Sequence, residues 1–255
     1  MYFKKTRLVA VAAAFLFASQ SNAALVEVDS GFGELPDDVV SAIGLIEGDI
    51  FGGDGIPFDT LNWQTLDMNG DDSADLVMAM SATQRFQSPE VTNNGVDTYY
   101  AGPGISAPDR SLWNFNFLLG AIDGSDISSL FTQNNGPLSL NIFYELDPNS
   151  GENAMFDASL LPVDPDFSSI LQFSWNLGFS FLSNVSPGFN SGAALDNGET
   201  FNPFANGVYD FTALLTDADS SASIDIDVVV EANTPATIAL FAFGLAGLIS
   251  LRKRI

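Results

Sequence analysis

The chain has 255 residues, with 32 Asp and Glu against 8 Lys and Arg, no His and no Cys, for a formal charge of −24 at pH 7. Those absences exclude Ser-His-Asp and Cys nucleophiles, zinc held by thiolate or imidazole, and the usual iron–sulfur and haem ligation. A chain this acidic is also repelled by nucleic acid, whose phosphates are bound through Lys and Arg, so no such partner is expected.

At the N-terminus, Lys4, Lys5 and Arg7 precede an apolar run over residues 8–18, and Ser21-Asn22-Ala23 offers small residues for a cleavage site. Residues 1–23 therefore read as a secretory signal peptide, removed by signal peptidase after Ala23 or Ala24. The apolar run is about half the roughly 20 residues a membrane span needs. Beyond the membrane the milieu is oxidising, so a chain without Cys must be held by core burial or a bound metal rather than by disulfides. Six of the eight basic residues sit in the two ends, so the body over 24–231 carries only Arg85 and Arg110 against all 32 acidic residues, a formal charge of −30.

Within that body a short helix is expected over 36–46, and β structure elsewhere. Residues 112–119 (LWNFNFLL), 138–146 (LSLNIFYEL), 170–182 (ILQFSWNLGFSFL), 207–215 (GVYDFTALL) and 223–230 (SIDIDVVV) alternate apolar with polar or carry strand formers, and clusters of Gly, Pro, Asn, Asp and Ser separate them. The expected fold is mainly β, an antiparallel β-sandwich of jelly-roll or Ig-like kind, with the 22 Phe filling the space between its sheets.

One loop stands out. Asp67, Asn69, Asp71 and Asp75 place oxygen side chains at positions 1, 3, 5 and 9, a donor set for a hard cation such as Ca2+. The run resembles the D-x-N-G-D-G-x-x-D-L calcium loops of FG-GAP and related extracellular repeats, with Asp72 where Gly is usual and Met78 at position 12. An Asx-rich turn between two strands accounts for the same residues. Asp147-Pro148-Asn149-Ser150-Gly151-Glu152-Asn153 also offers acceptors but reads as a hairpin turn. Asp217, Asp219, Asp225 and Asp227 form a further acidic group; in the last strand Asp225 and Asp227 share one face and Ile224, Ile226 and Val228 the other, as on a solvated sheet. Trp63, Trp113, Trp175, Tyr99 and Tyr100 are the aromatic residues that could stack on sugar rings, Tyr99-Tyr100 the most exposed of them by context and Trp113 and Trp175 core by alternation.

At the C-terminus residues 234–251 carry no charge and as a helix reach about 27 Å, enough to cross a hydrocarbon core. Arg252, Lys253 and Arg254 behind them act as a membrane stop held in the cytoplasm. This order of short Pro-containing motif, apolar helix rich in Gly, Ala and Leu, and basic tail over 232–255 resembles the PEP-CTERM sorting signal of Gram-negative bacteria, with Asn233-Thr234-Pro235-Ala236-Thr237 standing where Pro-Glu-Pro is usual. SWNLGF at 174–179, the run 201–217 and SIDIDVVV also look like the body commonly attached to that signal. The resemblance implies export, transient inner-membrane retention through 234–251, cleavage near Thr234-Pro235 by an exosortase, and a destination at the cell surface or in the extracellular matrix, where such proteins are associated with exopolysaccharide and biofilm. The expected function is a surface or matrix protein without enzymatic activity, stabilised by calcium. The alternatives are a carbohydrate-binding module and a secreted glycoside hydrolase; the hydrolase needs two carboxylates, and no pair is singled out among 32.

Overall fold

β-Strands make up about half of the residues that the computed structural model describes, which are 24–44, 59–85, 90–107, 110–149, 153–161, 168–179, 182 and 201–231. The expected signal peptide, Ala23 included, and the sorting segment with Asn233, Thr234, Pro235, Ala236, Arg252, Lys253 and Arg254 lie outside the described residues. Among those described, no helix is long and apolar enough to cross a membrane.

The elements run β1 (Val26–Gly33), α1 (Asp37–Ala42), β2 (Leu61–Asp67), β3 (Leu76–Gln84), β4 (Thr92–Asn93), β5 (Thr98–Ala101), β6 (Ile105–Ala107), β7 (Arg110–Ser111), β8 (Trp113–Ala121), β9 (Ser139–Glu145), β10 (Asn153–Asp157), β11 (Ile170–Trp175), β12 (Gly207–Thr216) and β13 (Ser221–Val230). They form a five-stranded sheet, β1-β2-β3-β8-β11, a six-stranded sheet, β10-β9-β12-β13-β5-β4, and a small ribbon of β6 and β7. Every pairing between these strands is antiparallel except that of β13 with β5. The expected sandwich is thus present, with one parallel pair inserted in its larger sheet.

The two sheets face each other across one apolar cluster. The five-stranded sheet contributes Leu66, Met78, Met80, Phe115, Phe117, Leu119 and Phe173, and the six-stranded sheet Ile142, Tyr144, Phe156, Tyr209, Phe211, Ile226 and Val228. As expected, Phe residues fill the gap. Phe115 stacks on Phe211 with ring centroids 4.7 Å apart and meets Phe173 edge-on at 5.8 Å. Trp113 meets Tyr209 and Phe211 edge-on at 5.6 and 6.0 Å. Both Trp113 and Trp63 are buried.

The sandwich has a third layer. β2, β3 and β8 are buried on both faces over most of their length. Behind them a second cluster joins Leu35, Val39 and Ile43 of the α1 region to Leu61, Trp63, Val77, Ala79, Leu118 and Ile170. Gly120 makes this packing possible: a Cβ there would lie 3.0 Å from Ile43 Cγ2 and 3.1 Å from Val77 Cγ1. Beside this patch the same face turns polar. Asn116 Nδ2 donates to Ser81 Oγ at 2.9 Å and Thr83 Oγ1 at 3.1 Å, which satisfies its buried amide nitrogen, while its Oδ1 is buried without a hydrogen-bond partner.

Two expected elements are shorter than read. The helix over 36–46 contracts to α1, with Pro36 before it, Asp37 and Asp38 in its first turn and Gly44 in a left-handed conformation (φ +78°) beyond it. The strand over 170–182 ends at Trp175, because buried Asn176 turns its side chain onto the β7–β8 segment: its Nδ2 donates to the Trp113 carbonyl at 2.7 Å and to Ser111 Oγ at 2.8 Å.

Phe115→Ala removes the ring at the centre of the sandwich and should cost about 3–5 kcal/mol, lowering Tm by at least ~6 °C. Thermal unfolding followed by circular dichroism measures this, and a smaller loss would show that the two sheets do not depend on that contact.

Candidate metal centre and the acidic face

The loop from Met68 to Asp75 closes the β2–β3 hairpin, and its own side chains wind it. Asp67, at the buried end of β2, accepts with Oδ1 from the N–H groups of Asn69 (2.8 Å) and Gly70 (2.7 Å) and with Oδ2 from that of Asp72 (2.8 Å). Asn69 Oδ1 accepts from Asp71 N–H at 3.0 Å, and Asp71 Oδ1 from Ser73 N–H at 2.9 Å and from the Ser73 hydroxyl. Asp75 closes the ring, taking Met68 N–H on Oδ2 at 2.7 Å and Asn69 Nδ2 on Oδ1 at 3.2 Å. Burial alone would raise the Asp67 carboxyl, but the N–H groups of Gly70, Asp72, Asn69 and Asp71 outweigh it and hold it below the usual carboxylate range. The Ser73 hydroxyl and N–H lower Asp71 in the same way.

The four expected metal ligands are therefore brought into one loop, each turned toward a donor of the loop itself. Among the described residues no group of three or more acidic, His or Cys side chains converges at metal-holding distance. In this arrangement the loop is a network of Asx turns. Asp72 adopts φ +64°, the left-handed conformation that Gly takes most easily, which gives a backbone reason for Gly at that position in the pattern the loop resembles.

A second acidic site emerges from strand register. Asp210 of β12 lies directly opposite Asp227 of β13, and Thr98 of β5 is opposite Asp227 on its other side. The β9–β12 register sets Tyr144 against Phe211, which brings Glu145 alongside Asp210. Three carboxylates thus occupy neighbouring strands in one row on the outer face of the six-stranded sheet, with Asp225 one step away, bonded by Thr212 Oγ1 at 2.5 Å. Like charges directly opposed across a ladder destabilise each other. Burial, the Asp210 charge and a hydrogen bond that protonated Asp227 donates to Asp210 push Asp227 up to about 6, and Asp97 and Asp225 add to the rise. Burial and Asp210 also raise Glu145. Asp225 and Asp227 do share the outer face as expected, but only Asp225 is exposed; Asp227 is half-buried.

Tyr99 and Tyr100 were expected to share an exposed loop. They lie instead in β5, pointing to opposite faces: Tyr99 is buried, bonded through its hydroxyl to the Thr60 carbonyl and packed near Phe32, while Tyr100 is 43% exposed. Asp147 and Asp217 form plain Asx turns, Asp147 accepting from Asn149 N–H at 2.9 Å and Asp217 from Asp219 and Ser220 N–H at 2.7 and 2.6 Å. Residues 150–152 of the first of these loops lie outside the described residues. Sequence reading missed Glu145 and Asp210 because the partner strands that align them are distant in the chain.

The class defined by fold and site is an acidic two-sheet β-sandwich with a helix behind one sheet. Comparison with protein-family models, with curated proteins and with solved structures gives no match.

The row of carboxylates makes stability depend on pH. An unfolded Asp titrates near ~3.9 and folded Asp227 at about 6, so the folded chain binds more protons in that window. Stability should fall as pH rises from about 4 to about 6. Asp67, Asp71 and Asp217, held low, act oppositely: their contribution is lost as pH drops below the usual carboxylate range. Tm should therefore be highest in weakly acidic solution, and Asp227→Asn should flatten the decline toward neutrality. A Tm unchanged between pH 4.5 and pH 7 in the parent would contradict this.

Proposed function

We infer that the chain is an exported surface or matrix protein without enzymatic activity, processed at both ends, whose acidic sandwich is the mature part. The observation that supports this reading is that both ends of the described body are tied into its core. Leu25 is buried and donates its N–H to Ser220 Oγ at 2.6 Å, while Ala24 is exposed. At the other end Val230 is buried and Glu231 N–H reaches the Ala101 carbonyl at 3.2 Å. These packed ends lie within the interval between the proposed signal cleavage after Ala23 or Ala24 and the proposed sorting cleavage near Thr234-Pro235. The basic ends and the acidic body divide at the same two points, and Arg252, Lys253 and Arg254 would leave with the sorting helix.

Calcium belongs to this reading as a ligand of the β2–β3 loop. Asp67, Asn69, Asp71 and Asp75 supply oxygens of the kind it takes, and carboxylate oxygens that already accept an N–H keep a second lone pair. Binding would exchange some of the hydrogen bonds that Asp71 and Asp75 make within the loop for bonds to the ion. In an extracellular body of charge −30 the ion would also relieve repulsion.

Intact mass of the protein recovered outside the cell tests the processing. The expected species begins at Ala24 or Leu25 and ends among residues 233–236; an extracellular form still ending at Ile255 would sink the proposal. For the metal, calcium should raise Tm relative to EDTA, and Asp71→Ala should abolish the rise. Equal Tm values in calcium and EDTA would remove calcium from the account while leaving the processing untouched.

A further inference from the structure

Four Asn-Gly pairs lie in the described residues: Asn69-Gly70, Asn94-Gly95, Asn135-Gly136 and Asn206-Gly207. Such a pair can react with itself, because a glycine has no side chain to shield its nitrogen from the Asn Cγ, and attack closes a five-membered ring. Ring closure rotates the peptide unit after the Asn, so the fold decides which pair is free to react.

Three of the four are pinned. Gly70 N–H points at the Asp67 carboxylate at 2.7 Å, and a neighbouring anion opposes loss of the proton that the nitrogen must shed. Asn69 is also tied at both ends of its amide, by Asp71 N–H and by Asp75 Oδ1. At Gly136 a Cβ would fall 2.1 Å from the Leu130 carbonyl carbon, and the N–H is held by the Phe131 carbonyl at 2.9 Å. At Gly207 a Cβ would lie 2.6 Å from Pro148 Cβ, and the residue is paired with Val230 in the ladder.

Asn94-Gly95 differs in each respect. It belongs to the exposed turn between β4 and β5, where Gly95 takes φ +78° and nothing lies within 4 Å of where its Cβ would stand. Gly95 N–H donates to Asn93 Oδ1 at 3.1 Å, a neutral acceptor that does not oppose loss of the proton. Asn94 Oδ1, on the carbon to be attacked, accepts the N–H groups of Val96 (2.9 Å), Asp97 (3.1 Å) and Thr98 (3.1 Å). Attack places negative charge on that oxygen, and donors already in position bind an oxyanion more strongly than a neutral carbonyl. The departing nitrogen, Asn94 Nδ2, donates to Asp97 Oδ1 at 3.3 Å, and a carboxylate beside it favours its taking up the proton it needs to leave.

We propose that Asn94 is a self-modification site, at which the chain converts its own Asn to aspartate or isoaspartate. The bond from Gly95 N to Asn94 Cγ forms, the Cγ–Nδ2 bond breaks, and ammonia leaves with the proton given up by Gly95 N–H. Water then opens the ring at either carbonyl. Aspartate fits the turn, since its oxygen keeps three N–H donors as Asp67 does in the β2–β3 loop. Isoaspartate adds a methylene to the main chain and pulls the oxygen from those donors. The turn leads into β5, and the Asp97 carbonyl accepts Asp227 N–H at 3.1 Å, so the disturbance reaches the parallel pair of β5 with β13. The site depends neither on calcium nor on how the ends are processed, so its failure would leave the functional reading above untouched.

The test is peptide mapping by mass spectrometry after the full chain is incubated in mildly alkaline buffer, native and in urea. In the native chain position 94 should gain one dalton at least about tenfold faster than positions 69, 135 and 206. In urea the four should convert at similar rates, because the selectivity comes from the fold. Gly95→Ala, which crowds the nitrogen and resists positive φ, should slow conversion at least about tenfold. Asn94→Asp should keep Tm within about 2 °C of the parent, whereas the isoaspartate fraction of the incubated chain should melt lower. Position 94 unconverted in the native chain, conversion there no faster than at the other three, or the same selectivity in urea overturns the proposal. Should Gly95→Ala fail to fold, Asn94→Gln decides, because Gln would have to close a larger ring: a one-dalton gain that persists in that turn counts against the site.

Discussion

The contact between Phe115 and Phe211 holds the molecule together in the literal sense that it joins the two sheets at their centre. Nothing covalent does so in a chain without Cys, and the outer surface carries charge that pushes it apart. Around that pair, Phe173, Tyr144, Trp175 and Trp113 extend the aromatic contact along the inner faces of β8, β9, β11 and β12. Aromatic rings suit this task because each buries a large apolar area and adds edge-on or offset attraction beyond its area. A polyanionic sandwich without cross-links therefore concentrates its cohesion in a few large side chains, and its repulsion on the faces that water and salt can screen.

The charge is distributed according to what each position can tolerate. In the β2–β3 loop, carboxylates are surrounded by N–H groups, so ionisation is favoured and the loop gains shape from it. On the outer face of the six-stranded sheet Glu145, Asp210 and Asp227 have no such surplus of donors, and register sets them side by side. The row responds by holding a proton at a pH where isolated carboxylates have lost theirs. The same residue type thus serves opposite purposes, with the number of backbone donors in reach deciding which.

Much of the sandwich was legible from alternation. Strands such as β12 and β13, where Tyr209, Phe211, Ile224 and Ile226 face in and Asp210 and Asp225 face out, declare both their type and their buried face. β2 and β3 did not, because Leu76 to Thr83 is buried on both sides and loses the polar half of the pattern. The helix behind them is short, and its docking depends on a glycine in a distant strand, which no local period reveals. At the candidate sites the division is the same. The Asp67 loop was visible because its residues are adjacent in sequence; the Glu145 row was not, since the pairing between β9, β12 and β13 is a long-range fact. Tyr99 and Tyr100 show the intermediate case: composition placed them in a loop, and the parallel pairing of β5 with β13 made them a strand with one ring inside and one out.

That parallel pairing also bears on the order in which the chain can fold. Among the described residues β13 is the last strand, yet it sits inside its sheet, with β12 on one side and β5 on the other. The larger sheet is incomplete until residue 230 is available, so the long-range pairing of β5 with β13 waits for nearly the whole body of the chain.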